Sequence, residues 1–274
     1  MAGTQKAATT WLYECLREHP DVFVSRPKEL HFFCPKGVCW KSRADQGMDW
    51  YLGQFPETGR SARGELSVDY MYYPDVAGQI AALNPAMRVL FILRNPIERA
   101  YSAYWMNRRG KSDMPAFAEF IRPDSDFVAR GFYWRQIERF LAVLPREQIK
   151  VMVYEDIAAN PQAFVSSVYE FIGVASAFTP PSLRQQVGET KALPPMISTL
   201  LYRQLTRLLH VPAILAVWRA TKRTTGLKQV RSGSPTHAYP SLGPDERRRL
   251  ESIYHDENER LFEFLGSRIP FWDE

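Results

Sequence analysis

The amino-acid sequence predicts an α/β fold in a single domain over residues 1–274, with a central parallel sheet flanked by helices. Three observations carry this prediction. Strand-sized apolar runs alternate with helix-sized amphipathic stretches along most of the 274 residues, and strands separated by helices pair in parallel. One run, Val89-Leu90-Phe91-Ile92-Leu93, is apolar at every position, as a strand covered on both faces must be. The composition, 45% hydrophobic and 24% charged, is that of a globular chain large enough to bury a core without disulfides. It excludes collagen-like, coiled-coil and disordered classes.

Taken in order, Thr9 to His19 reads as a helix, with Leu12 and Leu16 one turn apart. Val22-Phe23-Val24 within Asp21 to Ser25 reads as a strand, and Gly64 to Val68 as another. Asp75 is placed to cap a helix that runs to Leu83 and stops at Asn84-Pro85. Arg88 to Leu93 is the buried strand. Asn95-Pro96 then opens a helix with Asn at the N-cap and Pro at its first position, and Ile97, Tyr101, Tyr104 and Trp105 form its buried face. Gly131 to Leu144 and Pro161 to Ile172 read as helices and Ile149 to Tyr154 as a strand. Asp245 to Leu265 reads as a long final helix with Leu250, Ile253, Tyr254, Leu261 and Leu265 on one face. In such folds ligands sit beyond the carboxyl ends of the strands.

Net charge is +5, unevenly distributed. No acidic residue lies between Glu189 and Asp245, whereas Lys191, Arg203, Arg207, Arg219, Lys222, Arg223, Lys228 and Arg231 do. A single-sign stretch of this length reads as a face for an anion, so residues 190–244 are expected to form a basic insertion or lid. Residues 196–223 combine apolar and basic positions in a way that also suits contact with an anionic membrane surface. Three cysteines, Cys15, Cys34 and Cys39, do not make a disulfide framework and are read as plain thiols in a reduced compartment. No apolar run approaches the length of a membrane span and no signal pattern opens the chain, so a soluble cytoplasmic protein is expected. No metal constellation is read.

Two segments suit phosphate chemistry. In Gly3-Thr4-Gln5-Lys6-Ala7-Ala8-Thr9-Thr10-Trp11, a Gly, a Lys and two Thr residues lead into a helix, whose N-terminal N–H groups and dipole favour an anion. This is not a Walker A loop, which needs Gly-Lys-Ser/Thr after four spacers. In the second, Arg94 follows directly on the buried strand, and Ser102 lies two turns into the next helix, facing back towards the strand end. An Arg fork plus a hydroxyl is a sound phosphate grip.

Together these segments resemble the sulfotransferase superfamily, which uses 3′-phosphoadenosine 5′-phosphosulfate (PAPS) as donor and releases 3′-phosphoadenosine 5′-phosphate (PAP). Lys6-Ala7-Ala8-Thr9-Thr10 looks like that family's 5′-phosphosulfate loop, and Arg94 with Ser102 eight residues on looks like its 3′-phosphate motif. Pro27-Lys28-Glu29-Leu30-His31-Phe32-Phe33, Gly47-Met48-Asp49-Trp50-Tyr51, Gly131-Phe132-Tyr133 and Glu257-Asn258-Glu259-Arg260-Leu261 are similar to the heparan-sulfate and bacterial carbohydrate branch. The resemblance covers residues 3 to about 180 and 240 to 274, and implies a P-loop-kinase-like sulfotransferase fold. Three features depart from the family pattern. Ala8 stands where the family usually has Gly, which narrows the loop if a positive φ is needed. The first strand should precede Gly3, so it is missing or truncated, or another segment covers its place. The Lys-Gly-Arg loop before the last helix has its nearest match in Pro235-Thr236-His237, where His237 would replace the Arg as a donor contact.

Sulfuryl transfer needs a cation beside the leaving oxygen and a base for the acceptor proton. The resemblance implies Lys6 for the first and Glu29 for the second. His31 is the alternative base, or a partner that orients Glu29; an extended segment would point both the same way. The expected partners are the nucleotide donor and an acceptor glycan, lipid or small alcohol, without nucleic acid or metal. The competing readings are a silent protein that binds anionic glycans or membranes, and a nucleotide-dependent kinase.

Overall fold

A computed structural model describes residues 1–39, 41–109, 111, 113–184 and 239–272. Two compact units are present. One comprises Met1–Tyr104, Ala116–Glu189 and Leu242–Glu274; the other comprises Trp105–Pro115 and Thr190–Ser241. Most of the second unit lies outside the described residues, and so do residues 190–238 of the expected lid, which include the 196–223 segment and His237.

The first unit carries the sheet. Strand β1 (Val22–Val24) pairs in parallel with β2 (Ala62–Gly64), and β3 (Val89–Leu93) pairs in parallel with β4 (Ile149–Val153). The place expected for a missing first strand is taken by Met1–Thr4 themselves. On one side the Met1 amino group donates to Glu65 O at 2.8 Å and Ser67 N–H donates to Met1 O at 3.1 Å. On the other, Ala2 and Thr4 N–H donate to Leu90 O and Ile92 O at 3.0 and 2.9 Å, and Ile92 N–H donates to Gly3 O at 3.0 Å. The spatial order is therefore β1, β2, Met1–Thr4, β3, β4, all parallel. A side chain at position 3 would not fit, because a Cβ there would come within 2.8 Å of the Met71 Cβ.

Helices cover both faces. They are α1 (Thr9–Glu18), α2 (Met48–Gly53), α3 (Val76–Leu83), α4 (Pro96–Arg108), α5 (Asp126–Ala129), α6 (Tyr133–Leu141), α7 (Asp156–Ala159), α8 (Pro161–Ile172) and α9 (Pro244–Leu265). All five residues of β3 are buried, and its period-two alternation divides the core. Val89, Phe91 and Leu93 join Ile80 of α3, Ile137 and Phe140 of α6, and Leu261 and Phe262 of α9. Leu90 and Ile92 join Trp11 and Leu12 of α1 and Phe164, Val165 and Val168 of α8.

Several expected elements shift. The second strand lies at Ala62–Gly64, and residues 65–67 extend it by pairing with Met1. Asp75 stands at the start of α3 with its backbone in the helical region and makes no side-chain cap. Asn95 does cap α4, its Oδ1 accepting from Ile97 and Glu98 N–H at 3.0 and 3.3 Å. Along α4, Ile97, Tyr101 and Tyr104 are buried, while Trp105 is half-buried.

Candidate active site

The loop Thr4–Ala8 leaves the carboxyl end of the first strand and enters α1 through two left-handed residues, Lys6 with φ 74° and Ala8 with φ 52°. The positive φ considered from sequence is therefore adopted by an alanine, at a cost of roughly 1–2 kcal/mol relative to glycine. Leu12 is the first residue whose N–H is taken up by the helix, by Ala8 O at 3.1 Å. The N–H groups of Thr9, Thr10 and Trp11 precede it and have no intrahelical acceptor. Left-handed turns before such a helix start gather N–H groups into a concavity for an anion, and no acidic residue sits in the first turn of α1.

Arg94, at the carboxyl end of the adjacent β3, reaches this loop. Its guanidinium donates to Lys6 O at 3.1 Å and lies over the Tyr154 ring, 4.9 Å from the centroid. Its own carbonyl accepts from Tyr133 Oη at 2.8 Å. Ser102 is buried within α4. The two sequence motifs thus meet through Arg94 at one end of the sheet.

Glu29 and His31 also meet, although not on an extended segment. Both have positive φ, 65° and 51°; for non-glycine residues this is strained backbone that its surroundings must enforce. Those surroundings are explicit. Glu29 N–H donates to Leu66 O at 3.1 Å, and His31 N–H donates to Ser67 Oγ at 3.2 Å. Arg43 donates to the carbonyls of Glu29 and Leu30 at 3.1 and 3.2 Å, and Tyr70 Oη accepts from Phe32 N–H at 2.9 Å. Beneath them the buried Glu65 carboxylate accepts from Tyr51 and Tyr70 Oη, both at 2.9 Å, and from Ser67 Oγ at 2.5 Å. Burial, and then Glu65, push both phenols well above their usual range, so they remain donors.

The Glu29 carboxylate lies 2.7 Å from Lys28 Nζ and 3.4 Å from His31 Nε2. The His31 hydrogen bond, opposed by burial and aided by Lys28, pulls its pKa down to about 2. His31 is 1% exposed, and its Nδ1 lies 3.5 Å from Asp69 Oδ2. Asp69 is in turn held by Arg130 at 2.6 Å, which makes it a buried anchor for the imidazole. Lys28 was missed as a site residue in its own right. Its ammonium also reaches Thr9 Oγ1 at 3.4 Å, which ties the phosphate loop to Glu29. Residue spacing gives no hint of this link, because it depends on the left-handed turn at Glu29.

Comparisons with known proteins agree with this geometry. The family model described as "Sulfotransferase domain" matches residues 1–191. Human "Bifunctional heparan sulfate N-deacetylase/N-sulfotransferase 1" is 27% identical over 296 aligned residues, covering 98% of this chain and 30% of that protein. The human isoform 3 is 25% identical with the same coverage. The chain thus spans about a third of the length of these relatives. The crystal structure of a sulfotransferase from Alicyclobacillus acidocaldarius superposes with a TM-score of 0.73 at 24% identity, over 100% of this chain and 97% of that one. With a loop that turns through left-handed residues into a helix start, an arginine reaching it from the next strand, and a family match over most of its length, this chain belongs to the sulfotransferase family, enzymes that transfer sulfuryl groups.

Proposed function

We propose that this enzyme takes the sulfuryl group from PAPS and passes it to a hydroxyl or amine of a glycan-like acceptor, releasing PAP. The observation that carries this reading is the Arg94–Lys6 O hydrogen bond. It brings the two phosphate-grip segments together at one sheet end, with Glu29 linked to the same loop through Lys28. The heparan sulfate relatives support the glycan class, and the eight basic residues of 190–244 suit an anionic acceptor.

In this reading the N–H groups of Thr9, Thr10 and Trp11, with Gly3, Thr4, Gln5, Ala7 and Ala8 shaping the loop, hold the 5′-phosphosulfate. Arg94 and Ser102 hold the 3′-phosphate. Glu29 takes the acceptor proton as the acceptor oxygen or nitrogen attacks sulfur. The bond between sulfur and the bridging oxygen breaks, and Lys6 balances the charge that grows on that oxygen. His31, enclosed and bonded to Glu29, orients the carboxylate. In this reading the displacement itself uses no metal.

Isothermal titration with PAP and with ATP tests the donor. Wild-type protein is expected to bind PAP much more tightly than ATP, and Arg94→Ala to lose about 1.5–3 kcal/mol of PAP affinity. Equal affinity for the two nucleotides would overturn the assignment. Lys6→Ala is expected to lower kcat far more than it raises the donor KM, because it acts on charge that develops in the transition state.

A further inference from the structure

We propose that His31, Cys34 and Cys39 form a binding site for a soft divalent cation, zinc by its ligand set. Sequence spacing gave the two cysteines no partner, but the fold supplies one. A ring nitrogen of His31, Cys34 Sγ and Cys39 Sγ all lie within 4.8 Å of one another, and all three residues are buried. The distance from Cys34 Sγ to His31 Nδ1 is 3.6 Å. With Zn–S near 2.3 Å and Zn–N near 2.0–2.1 Å, two ligands of a tetrahedral ion stand roughly 3.6 Å apart. No rearrangement of that pair is needed.

The backbone is folded to make this cluster. The chain turns at Cys34, whose N–H donates to His31 O at 3.3 Å, and closes with Cys39 N–H donating to Pro35 O at 3.0 Å. Gly37, at φ 79°, supplies the left-handed turn between them. Ser42 Oγ then donates to Cys34 O at 2.6 Å. The result buries both sulfurs while Val38 at the loop tip is 71% exposed. A chain that leaves a valine in water in order to bury two thiols beside an imidazole has built a metal-type knuckle.

Charge and the outer partners agree. Two thiolates and a neutral imidazole offset a divalent charge, so the filled site avoids the cost of a buried net charge. Metal-bound histidines usually donate the other ring N–H to a carboxylate, and His31 Nε2 faces Glu29 Oε2 at 3.4 Å. Asp69 Oδ2 is 3.5 Å from Nδ1 but stands outside the three-atom cluster, which leaves a fourth coordination position for water. The ion would fix the imidazole with its proton on Nε2, directed at Glu29. The site shares His31 with the proposed transfer machinery and would brace it from behind.

The experiment uses the full chain, purified under reductant and without nucleotide. Its readouts do not depend on sulfotransferase activity. Zinc uptake is measured by elemental analysis against a competing chelator, and cobalt is substituted to look for a thiolate charge-transfer band. One equivalent of zinc, the cobalt band, and a zinc-dependent rise in melting temperature are expected. Cys34→Ser and Cys39→Ser are expected to weaken zinc binding on the order of 100-fold or more and to lose the band. Wild-type protein decides the matter even if a variant fails to fold. Reduced, folded wild type with two titratable thiols that takes up no zinc would overturn the proposal, leaving a hydrogen-bonded thiol pair. Preferential closure of Cys34 and Cys39 into a disulfide in the presence of zinc would overturn it as well.

Discussion

As the proposed base, Glu29 would work under an unusual constraint, because its neighbours hold its carboxylate down at a pKa of about 2, far below the range at which proton transfer is most effective. Its advantage is that it is always ionised. Acceptor entry must displace part of the Lys28 and His31 contact for it to gain basicity. Glu29→Gln keeps the shape and is expected to lower turnover roughly 10²–10⁴-fold with donor affinity nearly unchanged, measured with an alcohol acceptor. If His31→Ala proved the more damaging change, the base role would pass to His31. The same residue has a signature in stability. A carboxylate whose folded pKa lies below its unfolded value of 4.5 stabilises the protein above that pH. The contribution fades as pH falls from there to about 2. Denaturant titrations across that window are expected to show an acid-dependent loss in wild type that Glu29→Gln lacks.

The start of α1 concentrates backbone strain at Ala8. Ala8→Gly is expected to raise stability by up to about 1 kcal/mol, since the relief of left-handed strain exceeds the entropy a glycine adds to the unfolded chain. Calorimetry checks this, and a destabilised variant would mean that the Ala8 methyl, packed against the core, matters more. A second test joins α6 and α9. Glu257 accepts from Arg135 N at 3.2 Å and Nε at 2.7 Å. Glu257→Gln is expected to cost about 1–2 kcal/mol in urea unfolding, moderated because Arg135 is half in water. Most of these elements are legible in the sequence, since β3, α4 and α8 carry periodicity and caps that act within a few residues. What is not legible is tertiary. The strand at Met1–Thr4 has too few residues for a pattern and exists through partners at Glu65, Leu90 and Ile92. The αL turns at Glu29 and His31, which an extended reading missed, are imposed by Leu66, Ser67 and Arg43. Lys6, Arg94 and Glu29 were singled out by motif and family resemblance, whereas the Lys28 link to Thr9 and the placing of His31 beside two thiols required the fold.

For the molecule as a whole, Met1–Thr4 is the seam between two strand pairs. Gly3→Ala pushes a methyl towards Met71 at that seam. It is expected to cost about 1–3 kcal/mol in one cooperative transition read by denaturant; two separated transitions would mean that the halves fold independently. The same seam has a kinetic consequence. During synthesis Met1–Thr4, which fills the middle of the sheet, is made before its partners in β3, which follow only after nearly ninety more residues. Until then β1, β2 and Met1–Thr4 can pair with one another, but the side of Met1–Thr4 that will receive β3 is an unfilled edge, and such edges attract other chains. Pairing across so long a stretch of chain costs loop-closure entropy and slows folding, so the yield in a cell should depend on how quickly Phe91 reaches Gly3.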